Sequence, residues 1–265
     1  MIVDKVTSRQ NPLIKRLRSV RQGRQRHLIF IEGIRLVEEA LDAQLHIETV
    51  VYSDRLLTSE RGVKLYDRLK QLSCRGAIVT EPIMEFISDV ESPQGIVLVA
   101  HLPYATLEDI QNPTFLLIIH QLQDPGNIGT IIRVAEAAGA QSVIVTHTTV
   151  DPFNLKALRA AMGSAFRLPV VYNAQLPQVA EFLKKHKVRL VATQTRGAKL
   201  YSEQVWTEPI AILLGQEGAG LDEVAMQYVD EKVSLPMAAS VESLNVASTA
   251  SVICYEVARQ RGFKF

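Results

Sequence analysis

The sequence predicts an α/β protein whose C-terminal part is built on a parallel sheet, and three observations carry that expectation. FLLIIH at 115–120 and PIAILLG at 209–215 are short, continuous apolar runs, as strands buried on both faces require. From Phe115 onward such runs alternate with helix-like stretches, the order that builds a sheet covered by helices on both faces. With 47% apolar and 22% charged residues, the chain of 265 has an ordinary globular composition, which excludes a disordered or collagen-like protein. No apolar run approaches the ~20 residues of a membrane span, so no membrane partner is expected.

The first hundred residues or so read as a small α+β unit. Asn11-Pro12 opens a helix over Leu13–Gln22, with Leu13, Leu17 and Val20 at helical spacing. LIFIEG at 28–33 is strand-like and is followed by a helix over Ile34–Ala43, apolar at Leu36, Val37, Ala40 and Leu41. A strand at 47–53, a helix over Gly62–Leu72, a strand at 76–80 and a strand at 95–102 complete the unit. The polar stretch from Pro103 to Pro113 is a proline-flanked linker, which sets the expected domains at 1–104 and 113–265.

In the second domain a helix over Ile128–Ala138, ended by Gly139, follows the strand at 115–120. Then come a strand at 142–146, a short helix over Leu155–Met162, a strand at 168–172 and a helix over Gln178–His186. Strands at 189–194 and 209–215, a helix near Leu221–Val229, a strand at 232–236 and a final helix over Ser243–Arg261 close the chain. Two cysteines, Cys74 and Cys254, are too few for a disulfide framework and are not spaced as a metal pair, so no metal and a reducing, cytoplasmic setting are expected.

The net charge of +1 conceals an asymmetry. Residues 5–26 hold eight basic side chains and no acidic one, which leaves 21 basic against 28 acidic residues elsewhere. A positive segment on a mildly acidic body reads as an address for a polyanion through phosphate contacts. The plainer reading is a solvated helix face.

Three polar loops stand at strand ends, where open parallel sheets bind ligands. In the first, Asp124-Pro125-Gly126-Asn127 turns into a helix that carries Arg133 among apolar neighbours. Taken alone, this is explained by Asn127 as an N-cap and Arg133 as a solvated residue. In the second, a buried strand runs into Gly215, Gly218 and Gly220 with Glu217 between them. The pattern is neither a dinucleotide fingerprint nor a P-loop, and its glycines permit positive φ and close backbone approach. A tight turn into a helix accounts for it equally well. In the third, Ser243 stands as a helix N-cap, and Asn245 just after it is poor helix chemistry unless its side chain bonds something specific.

Taken together, NxGxxxR at 127–133, LLGxEGxGL at 213–221 and LPM…ESLNV at 235–246 resemble the three signature motifs of the SPOUT superfamily, in its SpoU/TrmH-like branch. Order and spacing match over about residues 115–260, and TSRQNPLIKRLRSVR…FIEGIRLVEEAL resembles the small substrate-binding domain that many members carry. Gln216 stands where the family usually has Asn, Ala239 where it has Gly, and Ala161 where it commonly has Ser. The resemblance implies a trefoil-knotted, parallel-sheet C-terminal domain preceded by a small α+β RNA-binding domain. It also implies a homodimer with its active site at the subunit interface.

The activity the resemblance implies is methylation of a ribose 2′-hydroxyl in structured RNA, with ribosomal RNA favoured over transfer RNA, and with S-adenosyl-L-methionine as cofactor. A non-catalytic RNA-binding relative is the alternative. Arg133, Asn127, Ser243 and Asn245 are then the catalytic candidates. Thr193, Gly215, Glu217, Gly218, Gly220, Leu235, Met237, Leu244 and Asn245 are the cofactor-binding ones. Arg9, Lys15, Arg16, Arg18, Arg21, Arg24 and Arg26 are assigned to RNA. Family members are proposed to use the arginine at the position of Arg133 as a base. A guanidinium, with a pKa above ~12, is a poor one, so a charged role at the forming alkoxide stands beside it.

Overall fold

The computed structural model describes residues 2–194, 197–216, 220–238 and 240–264. In chain order the strands are β1 (Ile2–Val6), β2 (Leu28–Glu32), β3 (Ile47–Tyr52), β4 (Arg75–Val79), β5 (Ile96–His101) and β6 (Phe115–Ile119), followed by β7 (Ser142–Thr146), β8 (Val170–Ala174), β9 (Arg189–Thr193), β10 (Lys199–Leu200), β11 (Ile210–Leu214) and β12 (Glu231–Ser234). The α-helices are α1 (Pro12–Arg21), α2 (Ile34–Asp42), α3 (Glu60–Lys70), α4 (Glu81–Ile87) and α5 (Pro125–Ala137). The later ones are α6 (Leu155–Ala161), α7 (Ser164–Arg167), α8 (Leu176–Lys185), α9 (Glu223–Met226) and α10 (Val246–Gln260).

The chain divides into two compact units, Met1–Pro103 with Phe153–Phe166, and Tyr104–Pro152 with Arg167–Phe265. The stretch 153–166 therefore clusters with the first unit, not with the second as the two contiguous domains would have it. Its packing explains this: α6 lies against β2, Leu155 packs on the core of that unit, and Arg159 pairs with Asp89 at 3.3 Å. Gly163 (φ +89°) passes so close to Glu39 that a Cβ there would come within 2.4 Å of its carboxylate.

The first unit is a mixed five-stranded sheet in the order β1-β4-β3-β5-β2, with β1, β4 and β3 parallel and β5 antiparallel to both its neighbours. Asn11 caps α1 by accepting from the Leu13 N–H, and Pro12 takes the first helical position. The helix buries Ile14, Leu17 and Val20, so the apolar face is set one residue further on than Leu13. Two elements escape the sequence pattern. β1 is an edge strand whose Val3, Asp4 and Lys5 are exposed, and α4 is a short helix buried through Ile83, Met84 and Ile87.

The second unit is a seven-stranded sheet, β10-β12-β9-β11-β6-β7-β8, in which every pairing is parallel. All residues of β6 and β11 are buried, as their unbroken apolar runs require. Leu116, Ile118, Ala211 and Leu213 share one cluster with Val179 and Leu183 of α8. α10 packs along α5. The stretch from Tyr104 contains a 3-10 turn over Leu107–Asp109 closed by a reciprocal Thr106–Asp109 cap, and Ala105 bridges to Val171. The helix expected near Leu221–Val229 shrinks to the single turn of α9, capped by Asp222.

Candidate active site

The carboxyl ends of β12, β9 and β11 are neighbours in the sheet and open onto a cleft of about 630 Å³. Its position and size are those of a small-molecule site in an open parallel sheet. Thr193 and Gln194 reach it from the end of β9, and Gly215, Gln216, Gly220 and Leu221 from the loop after β11. Leu235, Met237, Ser243, Leu244 and Asn245 come from the segment after β12. Every cofactor-binding candidate among the described residues lines this one cleft. Glu217, Gly218 and Ala239 lie outside the described residues. Gln194, Leu221, Met226, Val246 and Thr249 also line it and were not singled out by sequence. Thr249 was within reach of pattern reasoning, since it stands four residues after Asn245, one helical turn along the same face.

The two described glycines of the second loop do different work. Gln216 and Gly220 exchange backbone hydrogen bonds at 3.0 and 2.9 Å, which pinches the loop shut at its base. Gly215 lies against that pinch: a Cβ on it would stand 2.8 Å from the Gly220 carbonyl carbon and oxygen. Gly220 has φ +74° and open space around it, so it serves conformation rather than close approach.

The first and third loops meet where Asn245 Nδ2 donates to Asn127 Oδ1 at 3.1 Å. The capping differs from the sequence expectation at both ends of this contact. Asp124, not Asn127, caps α5, accepting from the Asn127 N–H at 2.9 Å, and the helix begins at Pro125. Asn245, not Ser243, caps α10, accepting from the N–H groups of Ala247 and Ser248. Asn245 thus has the specific partners that its position demanded: its oxygen starts the helix and its amide holds Asn127. Ser243 stays in the extended run before the helix, on the cleft wall.

Arg133 is not brought to this cluster within one chain. Six residues along a helix leave two side chains roughly 120° apart around its axis, so Arg133 does not share the face of Asn127. Its side chain is exposed and does not line the cleft.

Beneath the loops sits a polar cluster that the sequence did not reveal. His120, buried at the end of β6, contacts Thr146 Oγ1 through Nδ1 at 2.9 Å, while its Nε2 faces Asp222 at 3.7 Å. Asp222 also accepts from Gln121 Nε2 at 2.9 Å, which ties the loop after β11 to the loop after β6. Burial pushes the His120 imidazole below its ordinary value, against the opposing pull of Asp222. The backbone N–H of Ala225 holds the Asp222 carboxyl below its own, with smaller help from Gln121 and His120.

In the first unit, the basic segment separates into two groups. Arg9, Lys15, Arg18 and Arg24 line one cleft of about 470 Å³. Arg16 instead pairs with Glu48 at 2.6 Å, and Arg21 donates to the carbonyls of Ile87 and Ser88 at the end of α4. Arg26 is exposed. Among the described residues no helix is long and apolar enough to cross a membrane, and no group of His, Cys, Asp and Glu is arranged to hold a metal ion.

A parallel sheet with a glycine-pinched cleft at its carboxyl ends, in a chain that also carries a separate unit with a basic cleft, defines a ligand-binding α/β enzyme with a second binding unit. Residues 114–255 match the SpoU rRNA Methylase family, and residues 11–98 match the MRM3-like substrate binding domain. The chain belongs to the SpoU rRNA methylase family. It is 32% identical over 246 residues to the 23S rRNA (guanosine(2553)-2'-O)-methyltransferase RlmP of Bacillus subtilis, covering 92% of this chain and 93% of that protein. The AdoMet-bound rRNA methyltransferase of Sinorhizobium meliloti superposes with a TM-score of 0.86 at 30% identity, covering 97% of this chain and 98% of the other. The SpoU methyltransferase AviRb of Streptomyces viridochromogenes, in complex with AdoMet, has the same TM-score of 0.86 at 26% identity, covering 95% and 98%.

Proposed function

We propose that this protein methylates a ribose 2′-hydroxyl of ribosomal RNA, using S-adenosylmethionine. The observation that carries the reading is the convergence of the loops after β9, β11 and β12 on one cleft, with Asn245 joined to Asn127 of the first motif. The cleft fits the cofactor in its chemistry: Gly215 lets the loop after β11 close tightly on its own backbone at the cleft wall, Leu221, Leu235 and Leu244 offer apolar walls, and Thr193, Gln194 and Ser243 offer polar groups. When bound, the cofactor supplies an electrophilic methyl group on a sulfonium.

The chain's own residues have two tasks, to hold the ribose hydroxyl in line and to manage its proton. Asn127, Ser243 and Asn245 are assigned the positioning of the ribose, a role supported by the Asn245–Asn127 bond and by Ser243 and Asn245 on the cleft wall. Arg133 acts as a charged group at the forming alkoxide, because a guanidinium is a poor base and a strong anion partner. Since Arg133 faces away from the cleft of its own chain, the reading includes a homodimer in which the arginine is contributed across the interface. Exposed Val252 and Tyr255 on α10, the helix that packs along α5, support that surface. The trefoil knot and a cytoplasmic setting belong to the same reading, supported by membership of the family and by the bacterial relatives. Nothing in the fold or the comparisons favours a non-catalytic relative.

The test is to incubate the protein with ribosomal RNA and labelled S-adenosylmethionine, then to digest the RNA with alkali. A 2′-O-methyl group removes the hydroxyl that attacks the adjacent phosphodiester, so the label should appear in alkali-resistant dinucleotides. Label in mononucleotides would place the methyl on a base and overturn the reading.

A further inference from the structure

Arginines of the first unit are commonly paired with carboxylates: Arg16 with Glu48, Arg61 with Glu38 and Arg68 with Asp42. The basic cleft is different. Arg9, Lys15, Arg18 and Arg24 surround it, and no carboxylate is among the residues that line it. Two of the three guanidinium groups sit on one aromatic ring, with Arg9 Cζ 4.7 Å and Arg18 Cζ 4.3 Å from the centroid of Phe86 in α4. Those distances hold the two guanidinium carbons within about 9 Å of each other.

The ring attracts both cations, but it does not remove their mutual repulsion. Arg18 Nε is also buried with no hydrogen-bond partner. Two guanidinium groups held on one ring, with no carboxylate among the residues lining the cleft, can each give charge-assisted bonds of about 2.8 Å to a single tetrahedral anion bound between them.

We propose that this cleft clamps one phosphodiester of the RNA, gripped jointly by Arg9 and Arg18, with Phe86 as the platform that holds both. The proposal rests on the reading of the chain as an RNA methyltransferase and narrows it. RNA contact belongs to one face of α1 and its flanks, while Arg16 and Arg21 of the same basic segment serve the fold. A shared phosphate also sets the energetic signature, because the two arginines then count as one site in the salt dependence of binding.

Binding of a short fluorescein-labelled RNA hairpin to the full chain, titrated at several KCl concentrations, tests this. Each phosphate released from contact should lower the slope of log affinity against log salt by about 0.7–0.9. The double variant Arg9→Gln/Arg18→Gln should lose one such increment and bind roughly eightfold more weakly at 0.1 M salt, the factor that one counterion contributes there. Phe86→Leu keeps all the charge yet should weaken binding several-fold, and Arg16→Gln should leave the slope as in the wild type. Loss of two increments in the double variant would mean two separate phosphates and would overturn the clamp. An unchanged slope would remove the site altogether, while methylation activity on ribosomal RNA would leave the function intact. A wild-type chain with no salt-dependent hairpin binding would overturn the clamp and count against the RNA reading as well. Thermal stabilisation of the double variant by S-adenosylmethionine, equal to that of the wild type, confirms that the chain is folded in each comparison.

Discussion

Replacing Asn245 with alanine removes two interactions at once. The side-chain oxygen no longer accepts from the N–H groups of Ala247 at 2.9 Å and Ser248 at 3.4 Å, and the amide no longer donates to Asn127 at 3.1 Å. Loss of an N-cap costs about 1 kcal/mol. A neutral hydrogen bond adds about 0.5–1.5 kcal/mol net, and at this exposed position the lower end applies. The sum is about 1.5 kcal/mol, which in a unit of roughly 150 residues should lower Tm by about 3–6 °C. Calorimetry with and without S-adenosylmethionine identifies the relevant transition, because ligand raises the stability only of the unit that binds it. Asn245→Asp separates the two contributions. The carboxylate still caps α10, with a favourable charge at the helix N-terminus, but it has no proton to give Asn127. It should recover the stability of the apo protein and still show weakened stabilisation by S-adenosylmethionine. An alanine variant melting within about 1 °C of the wild type, or an aspartate variant as unstable as the alanine one, would refute this account of the loop.

Gly215→Val should abolish stabilisation by S-adenosylmethionine, since its Cβ meets backbone at 2.8 Å, whereas Gly220→Ala should retain part of it because only φ is strained. Equal effects of the two would refute the distinction. His120 is buried with its imidazole held below 6.5, so the unfolded chain takes up a proton first and stability should fall as pH drops below about 6.5. His120→Gln should flatten that dependence in the acidic range, and an undiminished slope would assign it elsewhere. Arg133→Ala should lose turnover but keep cofactor binding. Mixed one to one with Gly215→Val it should regain about a quarter of wild-type activity, because half the dimers would carry one intact site of two; no recovery would place arginine and cleft in the same chain.

The buried strands were legible because burial on both faces leaves a continuous apolar signature, and β6 and β11 lie where such runs placed them. The edge strand β1 has no such signature, as only one of its two faces meets the core and its middle residues are exposed. The helix starts differ from the sequence expectation by a few residues for a definite reason. Ser243 and Asn127 are good capping types, but a cap is defined by the N–H groups it reaches. Asp124 followed by Pro125 at the first helical position was the stronger signal in the same stretch. Nothing local could assign 153–166 to the first unit, because an amphipathic helix does not encode which core it joins. The cluster of His120, Thr146 and Asp222 spans about a hundred residues of sequence and is visible only once the sheet places the strand ends side by side.

The small and apolar residues of α10 bear on the dimer only through the few that the fold leaves exposed. As a composition, Ala247 to Ser251 with Val252, Ile253 and Val257 looks like more surface than one chain needs. In the fold, Ala247, Ala250, Ile253, Cys254 and Val257 are buried within the chain itself. What stays outside is narrower: the large apolar side chains still exposed on α10 are Val252 and Tyr255, and α5 exposes Thr130, Arg133 and Ala137. That remainder places the exposed Arg133, proposed as the catalytic cation, on the same pair of helices as the exposed apolar residues. A surface that buried Val252 and Tyr255 against a second copy would carry Arg133 toward that copy, and its guanidinium, excluded from its own cleft, would be free to serve the other. The dimer and the arginine are therefore one hypothesis, and the mixing experiment decides both.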